Sequence, residues 1–339
     1  MTTEHWPVPG AAGRGPRVVA LGGGHGLSAT LAALRHVCSD LTAVVTVADD
    51  GGSSGRLRHE LGVLPPGDLR MALSALCDDS EWGLTWRDVL QHRFRSDGPL
   101  DGHALGNLLI TTLWDLLGDE VAGLDWVGRL LGARGRVLPM AAVPLDIEAR
   151  VRQTGMEHAR VVRGQSRVAV TSGVIESVRL IPDDPPAHPE AIRAVQEAEW
   201  VVLGPGSWYT SVIPHLLVPE LGRALAETTA RRAVTLNLST QPGETDGMSA
   251  GDHLRTLVEH GPDLRLDVVI ADPAAVDDLD GLLAAGQELG ARVLLRQVGA
   301  GDGTPRHDPL RLAAAYRDAF DDVLGDVGEA TDGRRGTGG

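Results

Sequence analysis

The sequence predicts a three-layer α/β fold around a mainly parallel β-sheet. Apolar runs of strand length recur along the chain, amphipathic helical patterns separate most of them, and several runs end in loops rich in Gly, Ser, Asp or Asn. The 339 residues fit one large domain or two closely fused ones, and the 42% hydrophobic content suffices for a sizeable core. Since Phe and Tyr number only two each, that core must consist of Leu, Val, Ala and Ile.

Strand-like and helical segments alternate along most of the chain. The predicted strands are 17–21, 41–48, 136–139, 174–181, 200–203, 232–238, 266–271 and 291–295. The predicted helices are 28–37, 69–77, 103–117, 119–132, 188–198, 221–230, 252–260, 277–288 and 309–324. Residues 1–15 and 326–339 have compositions that predict disorder, so the α/β domain is expected to span residues 16–325.

Residues 142–173 show a different pattern. Leu145–Arg152 and Arg167–Thr171 alternate apolar and polar residues with a period of two. Such alternation is typical of antiparallel strands with one face in water. The sequence therefore predicts a small antiparallel β insert within the α/β domain.

A glycine-rich turn follows the first predicted strand. Val18–Leu21 is apolar, Gly22–Gly26 is a turn with almost no Cβ atoms, and an amphipathic helix is expected to begin near Ser28. Glycine lets the backbone approach a ligand closely, and the N–H groups at a helix start favour anions. The spacing matches neither the strict dinucleotide fingerprint nor a P-loop, which needs a lysine. The residues expected to bind a phosphate here are Gly23, Gly24, His25, Gly26 and Ser28.

A denser polar segment, Asp49–Arg58, follows the second predicted strand. Two carboxylates, two hydroxyls, three glycines and two arginines crowd one predicted loop, and open α/β sheets bind ligands at the carboxyl ends of their strands. Arginine suits bidentate phosphate contacts, although either arginine of this pair could instead lie on a solvated helix face. The expected contacts are metal or sugar hydroxyls at Asp49 and Asp50, secondary hydrogen bonds from Ser53 and Ser54, and phosphate at Arg56 and Arg58, with Arg70 as a third cation.

Charge and composition narrow the functional classes. The chain has no lysine, so its 31 cationic side chains are all arginines, which excludes Schiff-base chemistry, pyridoxal-phosphate anchoring and lysine general bases. A formal net charge of −15 argues against nucleic-acid binding. Because no apolar run is long enough to span a membrane, we expect a cytoplasmic protein without membrane insertion. Cys38 and Cys77 are expected to be packed thiols.

His103 and Asn107 form a polar pair at the start of an apolar helical pattern. They lie four residues apart, so both project from one face of the predicted helix, and buried polar groups need partners. Two interpretations are open: a satisfied pair that holds the helix to a neighbouring loop, or a pair that faces a ligand. Gly106, which would allow close approach, is compatible with the second.

Two more predicted strands end in polar turns. Gly204, Gly206 and Ser207 follow one strand, and Asn237 and Gln241 follow another. Each turn alone is a weak signal, but parallel strands bring all such ends to one edge of the sheet. A phosphate-bearing small molecule, such as a nucleotide derivative, is therefore the expected ligand.

Six motifs occur along the chain in a specific order. They are Gly22–Ser28, Val47–Arg58, Gly67–Arg70, His103–Asn107, Leu203–Ser207 and Gln241–Thr245. In this order the chain resembles the CofD/YvcK-like family of gluconeogenesis factors, relatives of 2-phospho-L-lactate transferase, over residues 17–325. The resemblance implies a Rossmann-like CofD fold, a cytoplasmic location, a UDP-amino sugar as ligand, and a link to cell-wall synthesis and cell shape during growth on gluconeogenic carbon sources. One position departs from the family pattern, because His25 stands where the family usually has threonine.

Two functional classes fit this resemblance. The first is a regulator that binds the nucleotide sugar and acts through partners, for which cell-wall synthesis regulators and a second copy of the chain are candidates. The second is a CofD-type transferase that moves a phospholactyl or phosphoenolpyruvyl group from a guanylyl diphosphate-type donor to a deazaflavin alcohol. That reaction would need a divalent ion such as Mg²⁺, with Asp49 or Asp50 as ligand, and an aromatic slot to which only Trp208 is suitably placed.

We favour the regulator. No catalytic residue follows from the sequence. An NAD-dependent oxidoreductase is a weaker third interpretation, since Asp49 is only the nearest fit to the acidic residue that binds ribose in dinucleotide-binding folds.

Overall fold

Seven parallel strands form the central sheet of this protein, seen in a computed structural model that describes residues 15–153, 156, 158–241 and 243–323. The strands are, in chain order, β1 (Arg17–Gly22), β2 (Asp40–Val45), β3 (Arg136–Pro139), β4 (Asp146–Arg152), β5 (Arg160–Arg163), β6 (Val174–Ile181), β7 (Trp200–Leu203), β8 (Arg231–Thr235), β9 (Val268–Ala271) and β10 (Arg292–Leu295). The central sheet has the order β10-β9-β8-β7-β1-β2-β3, and β5-β4-β6 form a separate antiparallel sheet. The predicted parallel sheet with a small antiparallel insert is therefore confirmed.

Helices connect most of the strands. They are α1 (Gly24–Leu34), α2 (Gly52–Leu61), α3 (Pro66–Leu76), α4 (Glu81–Gln91), α5 (Leu105–Leu117), α6 (Glu120–Leu131), α7 (Gln165–Val168), α8 (Pro189–Glu197), α9 (Pro214–Leu217), α10 (Pro219–Glu227), α11 (Ala250–His260), α12 (Leu279–Glu288) and α13 (Pro309–Phe320). A π-helical turn covers Trp208–Val212 and a 3-10 turn covers Pro273–Ala275. Among the described helices, none combines the length and the apolar character that crossing a membrane requires.

The inner strands are buried on both faces, which makes the fold three-layered. Every residue of β7 and β9 is buried, and so are all residues of β1 after Arg17. A strand that presents consecutive buried residues must be covered on both sides of the sheet, as in parallel α/β folds. Val, Leu, Ala and Ile supply most of this core, as the composition predicts.

The strand order reverses between β1 and β7. The chain runs from β1 to β2 and β3 towards one edge of the sheet, whereas β7 to β10 continue towards the other. Leu21 of β1 lies beside Leu203 of β7, so the turns that start at Gly23 and Gly204 leave the sheet next to each other. Open α/β sheets bind ligands at this reversal point, outside the carboxyl ends of the strands.

The antiparallel insert differs from the prediction in two ways: one predicted strand is absent, and the insert includes the strand 174–181. Arg167–Thr171 was predicted as a strand, which is wrong, because it starts within the short helix α7. The carboxylate of Asp50 accepts a hydrogen bond from the backbone N–H of Ser166 (2.8 Å) and so satisfies one free donor of this turn. The predicted strand 174–181 exists, but it pairs with β4 in the small sheet and not with the parallel strands.

The segment after β2 is a helix and not the predicted loop. α2 begins at Gly52, with Gly51 in an extended conformation before it and Gly62 at φ +67° after its last turn. Glycines and serines favour helices weakly, so their abundance here concealed the helix. Contacts with the rest of the protein outweigh this weak local preference, since Ser53 and Ser54 are buried. Helix α4 was also missed, and α1 begins at Gly24 and not near Ser28.

The predicted boundaries of the domain, residues 16 and 325, stay predictions. The segments expected to be disordered, 1–15 and 326–339, lie outside the described residues except for residue 15. The two cysteines are free, and Cys77 is buried, as expected of a packed thiol.

Helix α1 starts in direct contact with the turn after β7. A Cβ atom added to Gly26 would lie 2.2 Å from the carbonyl oxygen of Pro205 and 2.6 Å from the Cα of Gly206. Real Cβ atoms do not come this close, so the two turns pack backbone against backbone and only glycine fits at position 26.

We expect Gly26→Ala to lower the free energy of unfolding by about 1–3 kcal/mol, the usual cost of overpacking. The matched control is Gly128→Ala within α6, where a new Cβ would make only ordinary contacts with Leu73 and Ala133, at 3.8 and 3.9 Å. That variant should gain about 0.4–1 kcal/mol by restricting the unfolded chain. Urea unfolding midpoints measure both changes, and a Gly26→Ala protein as stable as the wild type would contradict the backbone contact.

Candidate functional site

Polar residues from three other segments pack closely against Gly23 in the turn after β1. A Cβ atom on Gly23 would lie 2.5 Å from Cγ2 of Thr46, which follows β2, and 2.6 Å from a carboxylate oxygen of Asp68 in α3. It would also lie 3.4 Å from Oγ of Ser211 in the π-helical turn. Glycine at position 23 therefore allows this close assembly of the β1, β2, α3 and β7 segments.

Some of the polar groups in the turn after β1 already form hydrogen bonds within the protein. The backbone N–H of Gly24 donates to the carboxylate of Asp68, and Oγ of Ser28 donates to the carbonyl oxygen of Gly24 (2.9 Å). The side chain of His25 is exposed in the first turn of α1. Gly23–Gly26 thus lies at the predicted edge of the sheet, and its role in phosphate binding stays a prediction.

Asp49 and Asp68 form a pair of partly buried carboxylates beside this turn. Asp49 accepts a hydrogen bond from the backbone N–H of Gly51 (2.9 Å), and burial raises its pKa. Burial, and then the charge of Asp49, raises the pKa of Asp68 to about 7. The protonated form of Asp68 is therefore accessible near neutral pH, and in that form it can donate as well as accept a hydrogen bond.

Arg70 places a buried positive charge close to these carboxylates. It is 3% exposed, and its Nε donates to Oδ1 of Asn107 (2.8 Å). Its Nη1 has no hydrogen-bond partner among the described residues. Burial lowers the pKa of Arg70 to about 10, so the guanidinium stays charged at neutral pH, and its charge opposes the rise in the pKa of both carboxyls.

Ser53 joins α2 to the predicted polar pair of α5. Its Oγ accepts hydrogen bonds from Nδ2 of Asn107 (3.1 Å) and from the backbone N–H of Ala104 (3.2 Å). Its own proton is then directed to Nδ1 of His103 (3.0 Å), which makes His103 a neutral ring with its proton on Nε2. These hydrogen bonds favour the interpretation in which His103 and Asn107 hold the start of α5 to a neighbouring segment, and contact of the pair with a ligand stays a prediction.

The remaining charged residues after β2 are bound to other parts of the protein. Arg58 forms a salt bridge with Asp146 of β4 (2.7 Å), and Arg56 donates to the carbonyl oxygen of Asp101 (2.5 Å). Asp50 is hydrogen-bonded to α7, as described above, and Oγ of Ser54 accepts from the backbone N–H of Gly67 (3.0 Å).

Of the three arginines predicted to bind phosphate, Arg70 is therefore the one that is buried and has an N–H donor without a partner among the described residues.

The carboxylates predicted as metal ligands for the transferase, Asp49 and Asp50, point to different parts of the protein. We expected Asp49 and Asp50 as ligands, but Asp50 is directed to α7, and Asp49 shares its charge environment with Asp68. Mg²⁺ usually binds one or two carboxylates together with phosphate oxygens and water, and Asp49 with Asp68 fits that donor set. Among the described residues, no three Asp, Glu, His or Cys side chains come together as a complete metal site.

The turns after β7 and β8 support each other. Both amide atoms of Asn237 bind the backbone of Gly206, Oδ1 accepting from its N–H and Nδ2 donating to its carbonyl oxygen, each at 2.8 Å. Glu244 accepts hydrogen bonds from Oγ of Ser207 (2.6 Å) and from the backbone N–H of Tyr209 (2.7 Å). Asn237 and Ser207, two predicted ligand residues, are thus occupied in shaping this turn, and Gly204 accepts a hydrogen bond from Thr30 (2.8 Å).

Several buried polar atoms without partners lie at this edge of the sheet. Among the described residues they are Oγ1 of Thr46, Nη1 of Arg70, Oε1 of Gln241 and Nε2 of His307. Thr46 follows β2, Gln241 follows β8, and the ring of His307 bonds the backbone of Leu236, also after β8. A buried polar group without a partner costs about 1–3 kcal/mol, so a polar ligand that met these atoms would recover that energy.

An open cleft of about 830 Å³ lies beside Ser53. Its size falls within the usual range for small-molecule sites. It is lined by Asp50, Gly52, Ser53, Gly55, Arg56, His59, Glu60, Asp101 and Gly102. The predicted segment Asp49–Arg58 therefore faces both the glycine turn and this cleft.

Sequence reasoning missed four residues of the site: Thr46, Asp68, Glu244 and His307. Asp68 lies inside the Gly67–Arg70 motif, from which only Arg70 was chosen as a candidate. Thr46 lies near the end of the predicted strand 41–48, and Glu244 lies inside the Gln241–Thr245 motif, so closer inspection of these two strand ends could have found them. Nothing local distinguishes His307, because its partner Leu236 is far away in sequence.

Comparisons with known proteins show the family of the chain. The family model described as 2-phospho-L-lactate transferase CofD matches residues 18–289. A Mycobacterium tuberculosis protein named "Putative gluconeogenesis factor" is 53% identical over 304 residues, 88% of each chain. The gluconeogenesis factor of Bacillus subtilis is 40% identical over 266 residues, which cover 78% of this chain and 81% of that protein.

A solved structure gives the same result for the fold. The crystal structure of a UPF0052 family protein from Bacillus halodurans is 34% identical, with a TM-score of 0.81, and the match covers 90% of this chain and 99% of that one. The family match extends from β1 to α12 and includes the glycine turns, Asp49, Asp68 and Arg70. The chain is therefore a member of the CofD family, and within it of the gluconeogenesis-factor group.

Proposed function

We propose that this protein is a cytoplasmic regulator that binds a nucleotide sugar, specifically a UDP-amino sugar, at the carboxyl edge of the parallel sheet. Its role would be in cell-wall synthesis and cell shape during growth on gluconeogenic carbon sources. The names of the relatives support the gluconeogenic context. Regulators of cell-wall synthesis are the proposed partners, and a second copy of the chain is a further one.

The observation that carries the proposal is the buried guanidinium of Arg70. A buried cation is costly unless it is paired and fully hydrogen-bonded, and Nη1 of Arg70 has no partner among the described residues. Diphosphate oxygens match an arginine donor well. Asp68 in its protonated form would add a donor, and the amides of Gly23, His25 and Gly26 would add more at the start of α1.

The second candidate is the CofD-type transferase, which the description of the matching family model favours. Asp49 and Asp68 would hold Mg²⁺, and the ion would supply charge neutralisation for a diphosphate donor. The described aromatic residues at this edge argue against the deazaflavin acceptor. Trp208 is fully buried, with Nε1 bonded to the carbonyl oxygen of His253 (2.9 Å), and thus offers no exposed ring for stacking.

We expect a UDP-amino sugar to bind with micromolar affinity, about −8 kcal/mol, in calorimetric titrations without added metal. Guanosine diphosphate and a deazaflavin alcohol should bind at least tenfold more weakly. The opposite order, or turnover of a guanylyl diphosphate-type donor, would favour the transferase.

Arg70→Met should weaken this binding by more than about 1.5 kcal/mol, since it removes a charge-assisted contact. The melting temperature without ligand should also fall, because Asn107 loses its partner and the buried carboxyls Asp49 and Asp68 lose a neighbouring positive charge, so affinities are compared at a temperature at which both variants are folded. Arg58→Met is the matched comparison, since its partner is Asp146 of the insert; it should lower the melting temperature and affect affinity less. If Arg58→Met instead abolished binding while Arg70→Met did not, the phosphate site would lie at α2.

Binding should also depend on pH through Asp68. A bound phosphate adds negative charge beside this carboxyl, raises its pKa above the free value of about 7 and makes binding take up a proton. Both phosphates of a nucleotide sugar are esterified, and the test uses an N-acylated amino sugar, so the ligand itself does not titrate in this range. In metal-free buffer the affinity should therefore rise about tenfold as the pH falls from about 8 to about 6.

Asp68→Asn should flatten this profile, whereas Asp115→Asn, an exposed change on α5, should leave it intact. Calorimetry in buffers of different ionisation enthalpy measures the proton uptake. An affinity that falls with falling pH would mean that ionised Asp68 holds the ligand, and this would contradict the proposed hydrogen bond.

A further inference from the structure

The small antiparallel sheet presents a basic groove along one free strand. Among the described residues, β5 has a strand neighbour on one side only, since the order is β5-β4-β6. A groove of about 380 Å³ runs beside it. The groove is lined by Arg160, Val161, Val162, Arg163, Arg167, Val170, Thr171 and Ser172.

The lining residues show that the groove follows the edge of the strand. All four consecutive residues of β5 contribute to it, although their side chains alternate between the two faces of the sheet. A pocket against one face would be lined by every second residue only. The unpaired side of the β5 backbone is therefore accessible from this groove, and edge strands of this kind can accept an added strand.

The groove also has a distinct chemistry. Three of its lining residues are arginines and none is acidic, although the whole chain has a formal charge of −15. Val161 and Val170 are 60% and 77% exposed, so the surface is apolar between the arginines. Arg163 is paired with Asp146, and Arg160 reaches Oγ1 of Thr171 (3.2 Å) across the groove.

We propose that this groove binds an extended acidic segment of a partner protein, which adds to the small sheet as a strand beside β5. Carboxylates of the segment would meet Arg160 and Arg167, and its apolar residues would cover Val161 and Val170. A second copy of this strongly acidic chain would be repelled unless it presented such a segment, so charge complementarity favours a different protein. This surface is separate from the nucleotide-sugar site and does not depend on its ligand.

The groove adjoins that site through one segment. The segment that forms the far wall, 167–172, starts within α7, whose first turn is bonded to Asp50. On its other side, a Cβ atom on Gly243 would lie 2.4 Å from the carbonyl oxygen of Thr171, so the segment also packs against the turn after β8. A partner in the groove would therefore contact a segment that touches the ligand-binding edge.

The test uses the full-length protein and a labelled ten-residue peptide in which glutamate and valine alternate. Fluorescence anisotropy should show saturable binding that weakens with added salt. A peptide with lysine in place of glutamate should bind at least tenfold more weakly. The same loss is expected for a glutamate–valine peptide with N-methylated central amides, which keeps its charge but cannot pair as a strand.

On the protein, the double variant Arg160→Glu and Arg167→Glu should bind the peptide at least tenfold more weakly. Arg193→Glu, an exposed change on α8, is the matched control and should stay within twofold of the wild type. Bound peptide should also protect the amides of residues 160–163 from hydrogen exchange. The proposal is wrong if the peptide does not bind, if the lysine or N-methylated peptide binds equally well, or if protection appears elsewhere.

Discussion

The backbone contact between the turns after β1 and β7 is the constraint on which the rest of the site depends. Because Gly26 packs on Pro205 and Gly206, the two strand ends at the reversal point are fixed against each other. Asn237 and Glu244 then hold the β7 turn from the side of β8. A ligand that binds at this edge meets groups whose positions are set before it arrives, which reduces the entropy lost on binding.

Electrostatics at this edge follow from the same close packing. Asp49, Asp68 and Arg70 come from two segments that approach each other only because Gly23 and Gly67 lack side chains there. Their burial raises the pKa of the carboxyls and, within the part of the chain that the structure describes, leaves one guanidinium donor without a partner. The site therefore suits a ligand that brings phosphate oxygens, and a proton or Mg²⁺ can balance the charge.

The sequence predicted which strand ends meet at one edge of the sheet better than which side chains are buried there. Glycine turns and strand ends are local patterns, so the edge of the sheet could be found. By contrast, Arg56, Arg58 and Arg70 look alike in sequence, and only tertiary contacts separate the two exposed or paired residues from the buried one. The helix α2 was missed for the same reason, because its stability comes from buried Ser53 and its distant partners and not from local propensity.

The most direct test is a crystal structure of the protein with a bound UDP-amino sugar. The account predicts a phosphate oxygen within hydrogen-bonding distance of Nη1 of Arg70, with the diphosphate against the Gly23–Gly26 turn and the remainder of the ligand beside the β7 turn. A ligand held instead in the cleft between α2 and residues 101–102, with Arg70 untouched, would contradict it.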